Sequence, residues 1–217
     1  MAGDRASDRS TVDTDLLLTT TRTVRRRLDL TRPVELSLVK DCLRVALQAP
    51  TGGDRQDWRW IVVTDPDLRR RIGEVYRTCF ERRYGRLADD PSRDGTAGRL
   101  ARSAAYLARN LESVPVLVIP CLDLGERKLP PTNQAGVWSS VLPAAWSYML
   151  AARSRGLAVA WTTVHLDAER ECADLLGLPP GVHQAALLPT AHSLGDSYRP
   201  AQRLPLEECL HLDGWNA

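Results

Sequence analysis

The chain has 217 residues with a formal net charge of +2, and 43% of its residues are hydrophobic while 26% are charged. This composition is typical of a globular protein, and the small net charge favours neither nucleic acid nor a membrane as a partner. No apolar run approaches the ~18 residues of a membrane helix, and the polar start lacks the apolar core of a signal peptide. We therefore expect a cytoplasmic protein.

The predicted elements begin after a polar tail, residues 1–14, whose Asp, Arg, Ser and Thr content is typical of disorder. The rest, residues 15–217, is expected to form one domain. Apolar residues at helical spacing predict helices over 15–20 and 37–48, and aromatic and β-branched residues predict a strand over 58–64.

The middle of the chain alternates between helices and strands. A long amphipathic helix is predicted over 68–85, followed by a polar stretch over 85–98 with the composition of a mobile loop. A further helix is predicted over 99–111. The continuous apolar run over 115–121 indicates a strand buried on both faces.

The segment 136–155 is predicted to be a helix that is apolar nearly all round, which is typical of a central helix or one buried between subunits. Strands over 157–166 and 184–192 enclose a short helix over 167–176. The run 197–215 has too much proline and charge for an internal element, so we expect an extended arm on a surface. No glycine-rich phosphate motif follows any strand, which argues against a Rossmann or P-loop nucleotide site.

The cysteines and histidines show no spacing that indicates a disulfide framework or a metal site. Five cysteines, an odd number without a C-x-x-C pair, favour reduced and buried thiols. Four histidines without an H-x-x-x-H pair give no zinc-ligand pattern, so we expect no metal.

An arginine cluster near the start is a candidate anion site. Arg22 and Arg25 are three residues apart with Thr23 between them, so in a helical turn both guanidinium groups would lie on one face. Arginine binds phosphate through paired N–H groups, and a threonine hydroxyl adds a neutral donor. Arg199 and Arg203 in the arm would complete the charge for a dianion. The alternative is a solvated basic edge.

The loop "APTGGDRQDW" is a second candidate. Its glycines can bring backbone N–H groups close to a planar polar ligand, with Asp54 as an acceptor and Gln56 as an acceptor and donor. The alternative is an ordinary turn in which the glycines supply positive φ angles.

These segments, from about Thr20 to Trp215, resemble the FMN-dependent nitroreductase family. "RTVRRRLD" looks like the family's Arg-Ser-x-Arg segment, with Thr23 at the serine position, and "APTGGDRQDW" looks like its Ala-Pro-Ser-x-x-Asn-x-Gln-Pro-Trp loop. "WSYMLAARSRGLAVAWTT" is similar to its long central helix and following strand. The C-terminal pattern also fits, through Pro189, Gly195, Arg203, Pro205, Leu206 and Trp215.

The resemblance implies an α+β fold, a mixed β-sheet flanked by helices, in an intertwined homodimer with FMN at the subunit interface. It implies three groups of cofactor-binding residues. The phosphate and ribityl chain would be held by Arg22, Thr23, Arg25 and Arg203. The isoalloxazine ring would lie against Pro50, Thr51 and Gly52, with Asp54 and Gln56 near its polar edge, and would face the backbone of Trp161, Thr162 and Thr163 on its other side.

The implied activity is that of an oxidoreductase in which FMN takes hydride from NAD(P)H and passes it to an electron-poor acceptor, a nitroaromatic or a quinone. No acid–base dyad, triad or metal cluster is visible, which suits chemistry done by a cofactor rather than by a catalytic side chain. The alternatives are a non-catalytic protein that sequesters FMN, a flavin-dependent tailoring enzyme acting on a natural product, and an anion-binding scaffold without flavin.

Three positions depart from the family pattern. Asp54 replaces the usual Asn and Asp57 the usual Pro, and Arg27 stands where an apolar aromatic residue is common. An ionised Asp54 near the flavin would oppose the negative charge that forms on reduction, so we hypothesise that it lowers the reduction potential. The alternative is that Asp54 pairs with Arg55 or another arginine and never touches the ring.

Overall fold

The structure, a computed structural model, describes residues 13–88 and 95–215, apart from the side chains of residues 86–88. The predicted tail therefore lies almost entirely outside the described residues. Thr14 is already helical, and the Asp13 carboxylate caps that helix by accepting from the backbone N–H groups of Asp15 and Leu16. The single-domain expectation stays a prediction.

The described helices and strands follow the predicted alternation. The helices are α1 (Thr14–Thr20), α2 (Leu36–Ala46), α3 (Pro66–Ala88), α4 (Gly95–Asn110), α5 (Gln134–Trp138), α6 (Val141–Arg153) and α7 (Glu169–Leu176). The strands are β1 (Trp58–Val63), β2 (Val116–Asp123), β3 (Leu157–Val159), β4 (Val182–Gln184) and β5 (Leu188–His192). Short 3-10 turns lie at Gly52–Asp54, Leu111–Ser113, Val164–Ala168 and Leu206–Glu208.

The sheet has the order β1–β2–β5–β3, and β4 pairs with β2 beyond the end of β5. Every pairing between these described strands is antiparallel. The α+β class with helices flanking a sheet is thus confirmed, and the strands that the structure describes form an antiparallel sheet without parallel pairs.

The central strand β2 contains a proline where its ladder changes register. Val118 lies opposite Leu188, but Cys121 lies opposite Gln184, so the partner segment holds one extra residue between these pairs. Pro120 lies at this bulge, where its missing N–H removes no regular ladder bond, and its carbonyl accepts from Ala185 N at 2.8 Å.

Alternate side chains of β2 enter two different cores. Leu117, Ile119 and Cys121 pack with buried residues of α3 and α4. Val116 and Val118 pack with buried residues of α2 and α6. Because successive strand residues point to opposite faces, one apolar strand can join both layers, as its continuous apolar sequence predicted.

The apolar segment predicted as one helix over 136–155 forms two, α5 and α6, which are separated at residues 139–140. A continuous helix would need the N–H of residue 143 to bond to the carbonyl of residue 139. Pro143 has no N–H, but it is tolerated as the third residue of α6, where the N–H groups lack intrahelical partners. Helix α6 is buried on most sides, as its sequence predicted.

Two further predictions need correction. The predicted loop over 85–98 is wrong at both ends, because α3 continues to residue 88 and α4 begins at residue 95, and residues 89–94 lie outside the described residues. The strand predicted over 157–166 ends at residue 159, after which Thr162 pairs with Leu187 as an isolated bridge. Within the described residues, no helix is both long and apolar enough to cross a bilayer.

Candidate active site

The arginine-rich turn after α1 lies along the end of β3. Val24 N donates to Val159 O at 3.0 Å, and Trp161 N donates to Thr23 Oγ1 at 3.4 Å. Residues 21–24 are not helical, so the expected helical turn is wrong. The chain still brings Thr23 against Trp161, which joins two of the segments that the sequence singled out.

Arg25 lines a cavity of about 480 Å³ between α3, α4 and the residues after β3, a volume within the range of small-molecule sites. We call it the α3–α4 cavity. Tyr76, Phe80 and Tyr84, at successive four-residue steps of α3, form one wall. The other lining residues are Arg25, Ala97, Leu100, Ala101, Ala104, Trp161, Thr162, Thr163 and Val164.

The guanidinium of Arg25 is largely buried. Among the residues that the structure describes, no carboxylate lies within ion-pair distance of it. Burial lowers the pKa of Arg25, which means that its charged form is less favourable here than in water. A buried charge normally has a partner, so this position fits an anionic or electron-rich ligand.

A buried hydroxyl pair forms part of the cavity wall beside Arg25. Tyr76 Oη and Thr162 Oγ1 are 2.9 Å apart, and burial raises the pKa of the Tyr76 phenol, which keeps it protonated. This bond fixes the side chain of Thr162 in the wall of the cavity. It also links α3 to the residues that follow β3.

The glycine-rich loop lies beside a second cavity of about 300 Å³, which we call the loop cavity. Gly53 and Asp54 both have positive φ angles, 61° and 54°. Gly52 N donates to the buried Ser140 Oγ at 3.4 Å, which ties the loop to the start of α6. The interpretation that the glycines supply positive φ angles in a turn therefore holds for Gly53, while Gly52 has no positive φ.

The two aspartates of this loop have different surroundings. Asp57 Oδ2 lies 2.8 Å from Arg127 Nη2 and 3.8 Å from Arg55 Nε. Arg55 therefore pairs with Asp57 and not with Asp54. Asp54 is exposed and forms no ion pair within the described part of the chain, so its carboxylate is available to a ligand.

The C-terminal arm reaches the arginine turn through its backbone. Arg22 Nη1 donates to the Arg199 carbonyl at 2.9 Å. The side chains of Arg22, Arg199 and Arg203 are exposed. Beyond this contact the arm is largely exposed, including four apolar side chains that are more than three-fifths accessible: Leu204, Leu206, Leu212 and Trp215.

The predicted site residues thus fall into two groups in one chain. The first group surrounds the arginine turn and the α3–α4 cavity and comprises Arg22, Thr23, Arg25, Trp161, Thr162 and Thr163. The second lies in the loop beside the loop cavity and comprises Pro50, Thr51, Gly52, Asp54 and Gln56. Arg203 lies apart in the arm. Their common role as cofactor ligands stays a prediction.

Phe80 and Ser140, which line or support these cavities, were not singled out by the sequence. The four-residue spacing of Tyr76, Phe80 and Tyr84 was a usable signal, because it places three aromatic rings on one helical face. His165 is fully buried, and burial lowers its pKa to about 4, against a smaller opposing effect of Gln184. It is therefore a buried, neutral residue directly after Val164, which lines the cavity. No sequence signal distinguished it from a surface histidine.

The fold and these two groups define an α+β protein with a candidate anion site next to an aromatic cavity. The Nitroreductase family model matches residues 18–192. The chain belongs to the nitroreductase family, which confirms the resemblance found in the sequence.

Three known proteins are similar to this chain. Iodotyrosine deiodinase of Nematostella vectensis is 27% identical over 199 residues, which cover 88% of this chain and 71% of that protein. A solved structure of iodotyrosine deiodinase bound to FMN and 3-iodo-L-tyrosine has a TM-score of 0.67 at 20% identity and covers 91% of this chain and 96% of that chain. The structure of an FMN and NADPH-dependent nitroreductase derived from sphigopyxis sp. strain HMH has a TM-score of 0.70 at 21% identity. The match covers 94% of this chain and 100% of that chain. At these identities the two structures show a common fold.

Proposed function

We propose that this nitroreductase-family protein binds FMN, accepts reducing equivalents from NAD(P)H and reduces an electron-poor aromatic acceptor such as a nitroaromatic or a quinone. The observation that carries the proposal is Arg25, a largely buried guanidinium without a carboxylate partner among the described residues, at the edge of an aromatic cavity. When bound, FMN supplies reversible hydride chemistry, so the protein needs no nucleophile of its own.

The arginine turn fits the polar half of FMN. Thr23 accepts from Trp161 N through its oxygen, which leaves its hydroxyl hydrogen free to donate to a ligand. Arg22 uses one N–H group on the Arg199 carbonyl, and the other donors of its planar fork are available for a phosphate. Arg25 lies deeper, beside the cavity, where its charge suits an electron-rich edge of the flavin.

The glycine-rich loop fits the flat face of the ring. A Cβ added to Gly52 would meet no atom of the described residues within 4 Å, so space next to its backbone is open to a ligand. The acceptor would occupy the α3–α4 cavity, where Tyr76, Phe80 and Tyr84 offer aromatic surface and exclude water. These side chains select and orient the acceptor.

We further propose that the complete site is shared between two copies in a homodimer. In one chain the arginine turn and the loop lie at different cavities. The arm also exposes Leu204, Leu206 and Trp215 to water in a single chain, and burial of these apolar side chains would favour association with a second copy. A second copy would cover the arm and bring the loop of one chain to the arginine turn of the other.

Mixed dimers test this proposal. Arg25→Ala and Gly52→Val should each abolish FMN binding when all subunits carry the same change. In a dimer of one Arg25→Ala chain and one Gly52→Val chain, one of the two shared sites is intact, so the mixed dimer should bind FMN at half the wild-type stoichiometry. Arg70→Ala, which removes an exposed arginine paired with Glu74, is the control and should bind FMN normally.

A mixed dimer without FMN, alongside a wild-type protein that binds it, would contradict a shared site. A wild-type protein that takes up no FMN would contradict the proposed function itself. The flavin content is read from the absorption of the purified dimers.

A second candidate reaction is reductive dehalogenation of an aromatic ring, which the 27% identity to iodotyrosine deiodinase favours. The cofactor and the aromatic cavity would be the same, and only the acceptor would differ. Halide release from a halogenated phenol, measured in parallel with reduction of a nitroaromatic and a quinone, distinguishes the two. Halide release without nitro or quinone reduction would replace the first candidate.

A further inference from the structure

The ring of Tyr198, at the start of the C-terminal arm, packs against the guanidinium groups of two arginines of the protein body. The Arg27 guanidinium carbon lies 3.9 Å from the ring centroid, and that of Arg153 on α6 lies 4.3 Å from it. Both distances are well within the range in which a cation is attracted to an aromatic face. We call this arrangement the Arg27–Tyr198–Arg153 stack.

The same part of the arm accepts hydrogen bonds from three arginines. Arg153 Nη2 donates to the Asp196 carbonyl at 3.0 Å, and Arg27 Nη1 donates to the Ser197 carbonyl at 2.9 Å. Arg22 Nη1 donates to the Arg199 carbonyl at 2.9 Å. Residues 196–199 are thus fixed from α6 and from the arginine turn, while the ring keeps two like-charged guanidinium groups together.

This anchor is connected to the candidate phosphate site through Arg22. A guanidinium is a rigid planar fork, so the bond from Nη1 to the Arg199 carbonyl also sets the direction of its remaining N–H groups. Arg203 follows four residues later along the arm. A displacement of residues 196–199 would therefore change the orientation of Arg22 and the path of the chain that carries Arg203.

We propose that the Arg27–Tyr198–Arg153 stack is a positioning cluster for the phosphate of FMN: by fixing residues 196–199 it orients Arg22 and delivers Arg203 to the phosphate. The inference rests on the proposed binding of FMN. Tyr198, Arg27 and Arg153 act through Arg22 and the arm and need not touch the ligand. The stack should therefore affect recognition of the phosphate and not recognition of the flavin ring.

The test compares the dissociation constants of FMN and riboflavin, which has the same ring system and no phosphate. Tyr198→Leu removes both cation–aromatic contacts, and we expect FMN to bind about tenfold more weakly, equivalent to about 1.4 kcal/mol at 25 °C, with riboflavin unchanged. Tyr198→Phe keeps the ring faces and loses only the hydroxyl, which lies against Ser193 Oγ. It should restore FMN binding to within about twofold of wild type.

Equal weakening of FMN and riboflavin, or no weakening of either, would overturn the positioning role. Arg27→Gln, which removes one guanidinium and keeps the ring, gives the same comparison if Tyr198→Leu does not fold, and it should weaken FMN alone. Wild-type protein that binds neither flavin would instead mean that the proposed function has failed. The two failures can be distinguished because riboflavin binding by the wild type and the variant reports on the ring site alone.

Discussion

The substitution Arg25→Gln tests whether Arg25 serves ligand binding or the stability of the fold. The two roles predict opposite effects on the stability of the protein without ligand. The guanidinium is largely buried, and burial already disfavours its charge. Glutamine keeps a polar, hydrogen-bonding side chain of similar length and removes that charge. The variant without FMN should therefore be at least as stable as the wild type, as is typical where function imposes a burial penalty.

The loss of affinity follows from the bonds that Arg25 would make. Hydrogen bonds to charged groups contribute about 1.5–3 kcal/mol, so the dissociation constant for FMN should rise about 10- to 150-fold. At an FMN concentration 100 times the wild-type dissociation constant, binding stabilises the wild type by about 2.7 kcal/mol. A variant weakened 100-fold gains only about 0.4 kcal/mol under the same conditions.

Thermal unfolding with and without FMN measures both effects. For a chain of this length, 1 kcal/mol corresponds to about 2–4 °C, so FMN should raise Tm by about 5–10 °C in the wild type and by about 1–2 °C in the variant. Arg70→Ala serves as the control for removal of an exposed arginine. A variant that is less stable without ligand yet gains the full shift with FMN would refute the reasoning.

Four other outcomes follow from the described contacts. Asp54→Asn should raise the flavin reduction potential, measured by anaerobic dye equilibration, because it removes a carboxylate that opposes negative charge on the ring; an unchanged or lower potential contradicts this. Burial lowers the pKa of His165 to about 4, so between about pH 6.5 and 4 the unfolded chain binds more protons than the folded one. As the pH falls from about 6.5 to 4, the free energy of unfolding measured in urea titrations should therefore decrease by up to about 3 kcal/mol. His165→Leu should make the free energy of unfolding less dependent on pH over that interval. Tyr148→Phe removes a buried bond of 3.0 Å to Thr190 Oγ1 and should lower the free energy of unfolding by about 1 kcal/mol in denaturant melts, whereas an unchanged midpoint would show that the bond contributes nothing. Deletion of residues 204–217 should give a folded monomer by sedimentation, and a dimer of unchanged affinity would exclude the arm from the interface.

The sequence predicted the elements well where local patterns decide the structure. The aromatic and β-branched run of β1 and the apolar run of β2 both form strands, and the segment of α2, with apolar residues at helical spacing, forms a helix. The failures have identifiable causes. Composition alone suggested a loop over the last residues of α3 and the first residues of α4. The break between α5 and α6 depends on the one N–H group that Pro143 lacks.

The candidate site was predicted in its parts but not in its arrangement. The motif around Arg22, Thr23 and Arg25 indicated a phosphate site, and the resemblance joined it to the segment after β3, which Thr23 contacts through Trp161 N. Contacts between distant residues leave no pattern in one sequence. Arg27 and Ser197 are 170 positions apart, so the anchoring of the arm could be found only in the folded chain.

We propose above all that this protein carries a flavin that nicotinamide nucleotides reduce. The most direct test is the visible absorption spectrum of the purified protein, recorded without oxygen before and after separate additions of NADPH and NADH. We predict flavin absorption that is bleached within seconds by at least one nucleotide, with the faster one identifying the donor. Flavin absorption that persists with both would point to sequestration of FMN, and a colourless protein that takes up no added FMN would contradict the account.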